Sequence, residues 1–344
     1  MSLDQPSVNG DGAHTTEQAP GRLAPERVEP VSPERAAQLL GLIRERVGSV
    51  FLGDPAGIDG ILRCVVARGH VLIEDVPGVG KTLLATAFAR VLGCTQSRIQ
   101  LTPDLLPADI IGTTILDPET KAFRLRKGPV FSNVVLADEI NRTTPRTQSA
   151  LLEAMSEASV SIDGTIHRLD QPFIVLATQN PHDFEGTFPL PENQLDRFLM
   201  RLSLGYPSAE READVLELRP SDRPLSELEP VVSRDDLLSI QAAADAVSVD
   251  RSLLEYIVEF ANHTRRDERF RVGLSTRGAL SLAQAARASA LLAGRAYATT
   301  DDVLDNLMHV GAHRVIPRGR AQSEQVAAAR ELFDEILQQI PQPA

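Results

Sequence analysis

The chain has 344 residues, 42% of them apolar, and a formal net charge of −12. That length accommodates two domains, and that apolar fraction supports a packed core. The acidic balance argues against a protein that coats nucleic acid, because phosphate binding needs a net basic surface. The two cysteines, Cys64 and Cys94, sit in apolar segments with no partner cluster, so reduced core thiols are expected, as in a cytoplasmic protein. No apolar run reaches the length of a membrane span, and no apolar leader follows a basic start.

Residues 1–31 are rich in Pro, Gly, Gln, Glu and Thr, and the first aromatic of the chain is Phe51. Such a segment buries too little surface to offset its ordering entropy, and a disordered tail is expected. Ser32-Pro33 then starts a helix that runs to about Val47, with Pro at its first position. From Ile58 to Leu204 the pattern alternates. Helices are expected at Ile61–Ala67, Leu83–Leu92 and Gln148–Met155. Strands are expected at Val71–Ile73, Arg98–Leu101, Val134–Ala137, Phe173–Ala177 and Met200–Leu204. Short apolar strands between helices indicate a parallel sheet covered on both faces.

Two hairpins interrupt this alternation. Thr113–Leu116 and Ala122–Leu125 flank Asp117-Pro118-Glu119-Thr120, and Val160–Ile162 and Thr165–His167 flank the strong turn Asp163-Gly164. Both are candidates for contact devices. After Gly205-Tyr206-Pro207 the strand signals end. Helices are expected at 208–219, 235–246, 251–265, 277–293, 300–315 and 325–340. The expected division is a tail at 1–31, an α/β domain at 32–206 and an all-α domain at 207–344.

The chemistry concentrates in the α/β part. Val71-Leu72-Ile73-Glu74 runs into Asp75-Val76-Pro77-Gly78-Val79-Gly80-Lys81-Thr82 and then a helix. A strand, a Gly-rich turn and a helix start form a polyphosphate cradle of main-chain N–H groups. Lys81 suits the β- and γ-phosphates, and the Thr82 hydroxyl suits Mg²⁺. The strict pattern G-x-x-x-x-G-K-[ST] has Gly80 as its second glycine, but Asp75 stands at the first.

Val134–Ala137 delivers Asp138 and Glu139 at the C-terminal edge of a buried strand, where ligands of parallel sheets sit. One carboxylate suits Mg²⁺ and the other suits activation of water. A third strand ends in Thr178-Gln179-Asn180, placing Asn180 where it would orient the lytic water or touch the γ-phosphate. Arg197, in Leu195-Asp196-Arg197-Phe198, and Arg277, after Ser275, are candidates for stabilising transferred phosphoryl charge. His309 and His313 have helical spacing but no third ligand, and the cluster Arg265, Arg266, Arg269, Arg271 holds Asp267 and Glu268 within it. These read as a helix face and a solvated helix end.

Five elements in this order resemble the AAA+ ATPases, and their detail resembles the MoxR-type branch of the helix-2 insert clade. The resemblance rests on Glu74–Thr82, Ala137-Asp138-Glu139-Ile140-Asn141-Arg142, Thr147–Met155, Ala177-Thr178-Gln179-Asn180-Pro181 and Pro189–Phe198. It covers about 35–340. It implies a P-loop parallel β-sheet core flanked by helices, followed by an all-α lid. It implies a nucleotide loop of Pro77, Gly78, Val79, Gly80, Lys81 and Thr82, with Asp138 as the further nucleotide-site residue and Thr82 and Asp138 as Mg²⁺ ligands. Glu139, Asn180, Arg197 and Arg277 become the catalytic set, with Arg197 acting on a neighbouring subunit. It further implies ATP hydrolysis by a ring homo-oligomer, a hexamer, that remodels protein clients, often with a von Willebrand factor A-domain partner. The hairpins correspond to the inserts of the clade. The family's adenine-contacting turn falls at Val50–Gly53, with Asp54 where a Gln is usual. The alternatives are a DNA-directed motor, which the acidic charge disfavours, and a nucleotide-gated scaffold that does not hydrolyse ATP.

Overall fold

The computed structural model describes residues 28–75, 78–180, 186–206, 209–217, 225–320 and 324–343. The expected tail up to residue 27, Val76 and Pro77 of the phosphate loop and residues 218–224 lie outside the described residues.

Helix α1 (Pro33–Gly48) starts where the Ser32 side chain accepts from Arg35 N–H and Pro33 occupies the first turn. Helix α2 (Pro55–Val66) starts six residues earlier than its apolar pattern, because Asp54 caps it through Ala56 N–H and Pro55 opens it. Asp54, off-pattern for an adenine contact, is thus a helix cap. Strand β1 (Val71–Glu74) leads through the Gly-rich turn to α3 (Lys81–Val91). Then come β2 (Gln96–Gln100), the short α4 (Pro107–Ile111), and the hairpin β3 (Gly112–Leu116) and β4 (Phe123–Lys127). Next are β5 (Val134–Asp138), α5 (Pro145–Glu157) and the hairpin β6 (Ser159–Ile162) and β7 (Thr165–Arg168). Strand β8 (Ile174–Gln179), the short α6 (Glu192–Leu195) and β9 (Met200–Leu202) complete the first part.

The sheet order is β2-β5-β8-β1-β9, with every neighbouring pair parallel. Arg98, Leu136, Leu176, Val71 and Met200 lie in one register row, so the C-terminal ends of β5, β8 and β1 finish side by side. Alternation along each strand sorts the core. Val71, Ile73, Val134, Leu136, Leu176, Met200 and Leu202 pack on one face in an apolar cluster continuous with α1, α2, α3 and the later helices. Leu72, Val135, Ala137, Val175 and Ala177 pack on the other with α5 and the β6–β7 hairpin.

The C-terminal part comprises α7 (Ala209–Glu217), α8 (Arg234–Ala246), α9 (Arg251–Arg266), β10 (Phe270–Val272), α10 (Thr276–Leu292), α11 (Thr300–Gly311), β11 (Ile316–Pro317) and α12 (Gln325–Leu337). Two expectations are corrected here. Strand structure does not end at residue 205, because β10 and β11 pair antiparallel. These two- and three-residue strands are too short to show a period. Helix α11 stops at Gly311 rather than 315, since the chain turns there and sends His313 and Arg314 into the first part. Cys64 is buried, but Cys94 is only half-buried, and both are free thiols. Among the described residues no helix is long and apolar enough to cross a membrane.

Candidate nucleotide site

The turn after β1 bends at Gly78 (φ 89°) and Gly80 (φ 86°), both in the left-handed region that favours glycine. Gly80 caps α3 and also passes close to Phe51, since a Cβ there would meet its ring at 3.2 Å. Val79 packs partly against the large core cluster. Lys81 Nζ donates to the Asp75 main-chain oxygen at 2.6 Å. Partial burial pulls the Lys81 ammonium below its usual pKa, opposed by the charges of Asp75, Asp138 and Glu139.

Asp75 explains its own departure from the glycine pattern. It is 8% exposed, and its Oδ2 accepts from Leu204 N–H at 2.6 Å, Gly205 N–H at 2.7 Å and Ser203 Oγ at 3.2 Å. The carboxylate ties the end of β1 to the segment that leaves the sheet after β9. Its main-chain carbonyl accepts from Lys81.

Asp138 ends β5, and its side chain is 8% exposed. Its Oδ2 accepts from Arg98 Nε at 2.7 Å, and its Oδ1 accepts from Thr178 Oγ1 at 3.2 Å. Thr178 Oγ1 in turn accepts from Glu139 N–H at 2.9 Å, so one hydroxyl links the two acidic residues. Glu139 has φ 59° and ψ 55°, a left-handed conformation unusual for a residue with a side chain. Its Oε2 lies 3.2 Å from Arg142 Nε and accepts from Gln100 Nε2 at 3.1 Å. Asn180, 9% exposed, accepts on its main-chain oxygen from Asn141 Nδ2 at 3.4 Å.

These residues line one open cleft of about 350 Å³: Gly78, Gly80, Lys81, Thr82, Asp138, Glu139 and Asn180, together with Arg98, Gln100 and Thr178. Arg197 and Arg277 do not line it. Arg197 Nη1 donates to Leu152 O and Ser156 Oγ, both at 2.6 Å, near the C-terminal end of α5. Arg277, at the start of α10, lies 3.9 Å through Nε from Asp196 Oδ2 with half its side chain exposed.

The geometry has counterparts among known proteins. The model of the ATPase family associated with various cellular activities (AAA) matches residues 70–200, and that of the AAA lid domain matches 262–339. The chain is 39% identical to Chaperone MoxR1 of Mycobacterium tuberculosis over 86% of this chain and 80% of that protein. The chain belongs to the MoxR-type AAA+ ATPases. It is also 45% identical to YeaC of Bacillus subtilis over 89% of this chain and 95% of that one. It is 30% identical to Protein MoxR of Methylorubrum extorquens over 86% and 93%. A crystal structure from Cytophaga hutchinsonii, of a candidate ATPase, superposes with a TM-score of 0.82 at 36% identity, covering 91% of this chain and 97% of that one. Membership of this family carries nucleotide binding with it, usually with Mg²⁺.

Sequence reasoning missed three residues lining the MoxR-type cleft. Arg98 and Gln100 had a signal: they alternate on β2, which places both on one side of the strand beside Asp138. Thr178 had none, because a threonine at a strand end fits many roles. At Val50–Gly53 Phe51 is buried in the core and packs against Gly80.

Proposed function

We propose that this chain hydrolyses ATP in an oligomeric ring and uses the cycle to remodel a protein client. One observation carries the reading: Lys81, Thr82, Asp138, Glu139 and Asn180 converge on a single cleft at the C-terminal edge of a parallel sheet. The donor set fits Mg-ATP. Gly78 and Gly80 give the turn, the start of α3 gives main-chain N–H groups, and Lys81 gives a cation. Thr82 and the sequestered carboxylate of Asp138 are oxygen ligands of the kind a hard cation takes. Mg²⁺ held by Thr82 and Asp138 would neutralise negative charge on the phosphates.

The protein's own groups then divide the work. Lys81 exchanges its hydrogen bond with the Asp75 carbonyl for phosphate oxygens. Glu139 takes a proton from the attacking water, and the Thr178 hydroxyl fixes its main chain relative to Asp138. Asn180 orients that water. Arg277 of the lid, the helical part from 207 onward, supplies a second cation to the same subunit's ATP. Arg197, tied to the C-terminal end of α5 and outside its own chain's cleft, is assigned to the site of the adjacent subunit, whereas Arg277, also outside the cleft, would reach its own subunit's ATP by movement of the lid.

AAA+ ATPases typically oligomerise, and a homo-hexameric ring is the assembly we infer. The protein client, which would include a von Willebrand factor A-domain partner, fits the chaperone name of one relative. The hairpin surfaces support client contact, with Phe123 77%, Ile166 71% and Leu116 56% exposed. The test compares Lys81→Ala with Glu139→Gln. The first is expected to lose binding of a fluorescent ATP analogue, and the second to bind it and lose turnover by about 10²-fold or more. Wild-type turnover by Glu139→Gln would overturn the assignment of the base.

A further inference from the structure

Residues 196–199, the segment that contains Arg197, are held by side chains of the C-terminal part. Arg314 follows α11, and only 2% of its side chain is exposed. Its Nε donates to Asp196 Oδ1 at 2.7 Å, and its Nη1 to Leu199 O at 3.0 Å. Its Nη2 donates to Phe198 O at 2.7 Å and to Asp196 O at 3.3 Å. The same guanidinium is anchored in its own part of the chain through Val310 O and Ser281 Oγ. His313 adds a second donor to Phe198 O, with Nε2 at 3.1 Å.

Arg314 therefore fastens Ser281 of α10 and Val310 of α11 to both main-chain neighbours of Arg197. A buried fork with its donors committed on both sides moves as one piece with what it grips. Asp196 splits its two oxygens. Oδ1 is bound by Arg314, while Oδ2 faces Arg277 at 3.9 Å, a longer and more exposed pairing. Arg277 is the lid arginine assigned above to the same subunit's ATP. Its move from Asp196 to phosphate would be felt at the residue next to Arg197.

We propose that Arg314 is a positioning residue for Arg197. Through it, the lid sets where Arg197 is presented to the neighbouring subunit's ATP. Arg277 supplies the nucleotide-dependent input to that placement. The inference rests on the reading that Arg197 acts between subunits, and the experiment separates the two.

Arg314→Lys keeps the charge and loses the fork. It is expected to bind the fluorescent ATP analogue within about twofold of wild type, with KM little changed and kcat reduced by about 10²-fold, the scale of a misplaced catalytic group. Subunit mixing then identifies the route. In rings co-assembled with Glu139→Gln, the Gln subunits present intact Arg197 to the sites of Arg314→Lys subunits, and turnover recovers. In rings co-assembled with Arg197→Ala, no subunit presents Arg197 correctly, and turnover stays low. The control pairs Arg197→Ala with Glu139→Gln and recovers if Arg197 acts between subunits.

Recovery in the control but none for Arg314→Lys with Glu139→Gln would overturn the positioning role, since Arg314 would then serve its own site. No recovery in the control would overturn the between-subunit reading, and this inference with it. Should Arg314→Lys fail to fold, Asp196→Asn, which keeps an acceptor for Arg314 and loses the charge, carries the same comparison.

Discussion

Restoring the missing glycine of the phosphate loop, by Asp75→Gly, is expected to harm the protein and leave ATP binding no tighter. The Asp75 carboxylate holds three donors through one oxygen, at 2.6, 2.7 and 3.2 Å, in a residue 8% exposed. A hydrogen bond to a charged group contributes about 1.5–3 kcal/mol. Bonds that converge on one atom are not additive, so about 3 kcal/mol is the working figure for the set. Removal strands the N–H groups of Leu204 and Gly205, and a glycine adds backbone entropy worth up to ~1 kcal/mol. With an unfolding entropy of about 2.1 cal/mol/K per residue, 3 kcal/mol lowers Tm by about 4 °C in a chain of this length. Asp75→Asn keeps an acceptor without the charge and is expected to lose about half as much. Neither variant removes the main-chain carbonyl that accepts from Lys81, so the Asn variant retains wild-type affinity for ATP. Calorimetry gives Tm, and equilibrium titration with a fluorescent ATP analogue gives affinity. An Asp75→Gly protein with unchanged Tm and tighter ATP binding would refute the argument.

Two further predictions concern Arg98 and His70. Arg98 holds an oxygen of Asp138, the carboxylate proposed above as a Mg²⁺ ligand, but the Arg98 side chain is 57% exposed. Screening therefore limits the pair to about 1 kcal/mol, and Arg98→Ala should lower the Mg²⁺ midpoint for ATP binding about fivefold. A raised midpoint in the Mg²⁺ titration would show instead that Arg98 serves the nucleotide. His70 is buried, accepts on Nδ1 from Val175 N–H at 3.0 Å, and so carries its proton on Nε2, which faces Met155 O at 3.0 Å. Burial pulls its pKa down to about 4 from 6.5. Its folded pKa lies below the unfolded one, so the unfolded state binds the extra proton. The stability it confers is complete above pH 6.5 and lost as pH falls towards 4, approaching about 3 kcal/mol. Denaturant unfolding from pH 7.5 to 4.5, wild type minus His70→Gln, isolates the slope, and a flat difference would contradict it.

Much of this molecule was legible because its strands are short, apolar and bounded by turn residues. Val134–Ala137 and Phe173–Ala177 announced central strands, and each delivered its polar terminus to the cleft. The phosphate loop was legible despite Asp75, because Gly78, Gly80, Lys81 and Thr82 keep the turn and the donors. Helix starts were displaced wherever a cap lay upstream of the apolar pattern, as Asp54 does for α2 and Thr144 for α5. Side-chain partnerships across long separations were not legible. Arg314 reaches residues more than a hundred positions earlier in the chain, and its sequence neighbourhood carries no pattern that distinguishes it from a surface arginine. The pair β10–β11 was missed for the same reason: its pairing joins two segments with no local signal of their own.

Two aspartates show what residue type alone conceals. In the sequence Asp75 stands where the phosphate-loop pattern has a glycine, and Asp196 stands unassigned beside Arg197. Both carboxylates are engaged in holding the fold. Asp75 binds the segment at 203–205 that leaves the sheet, and Asp196 binds Arg314 and faces Arg277. Each lies close along the main chain to a group in the proposed reaction: the Asp75 carbonyl accepts from Lys81, and Asp196 precedes Arg197. A displacement of the lid would thus act on Arg197 through Asp196, and on the phosphate loop only through the 203–205 segment that Asp75 holds just before the lid. Chemistry and movement would be joined by two carboxylates, one buried at Asp75, whose own carbonyl accepts from Lys81, and one partly buried at Asp196, next to Arg197.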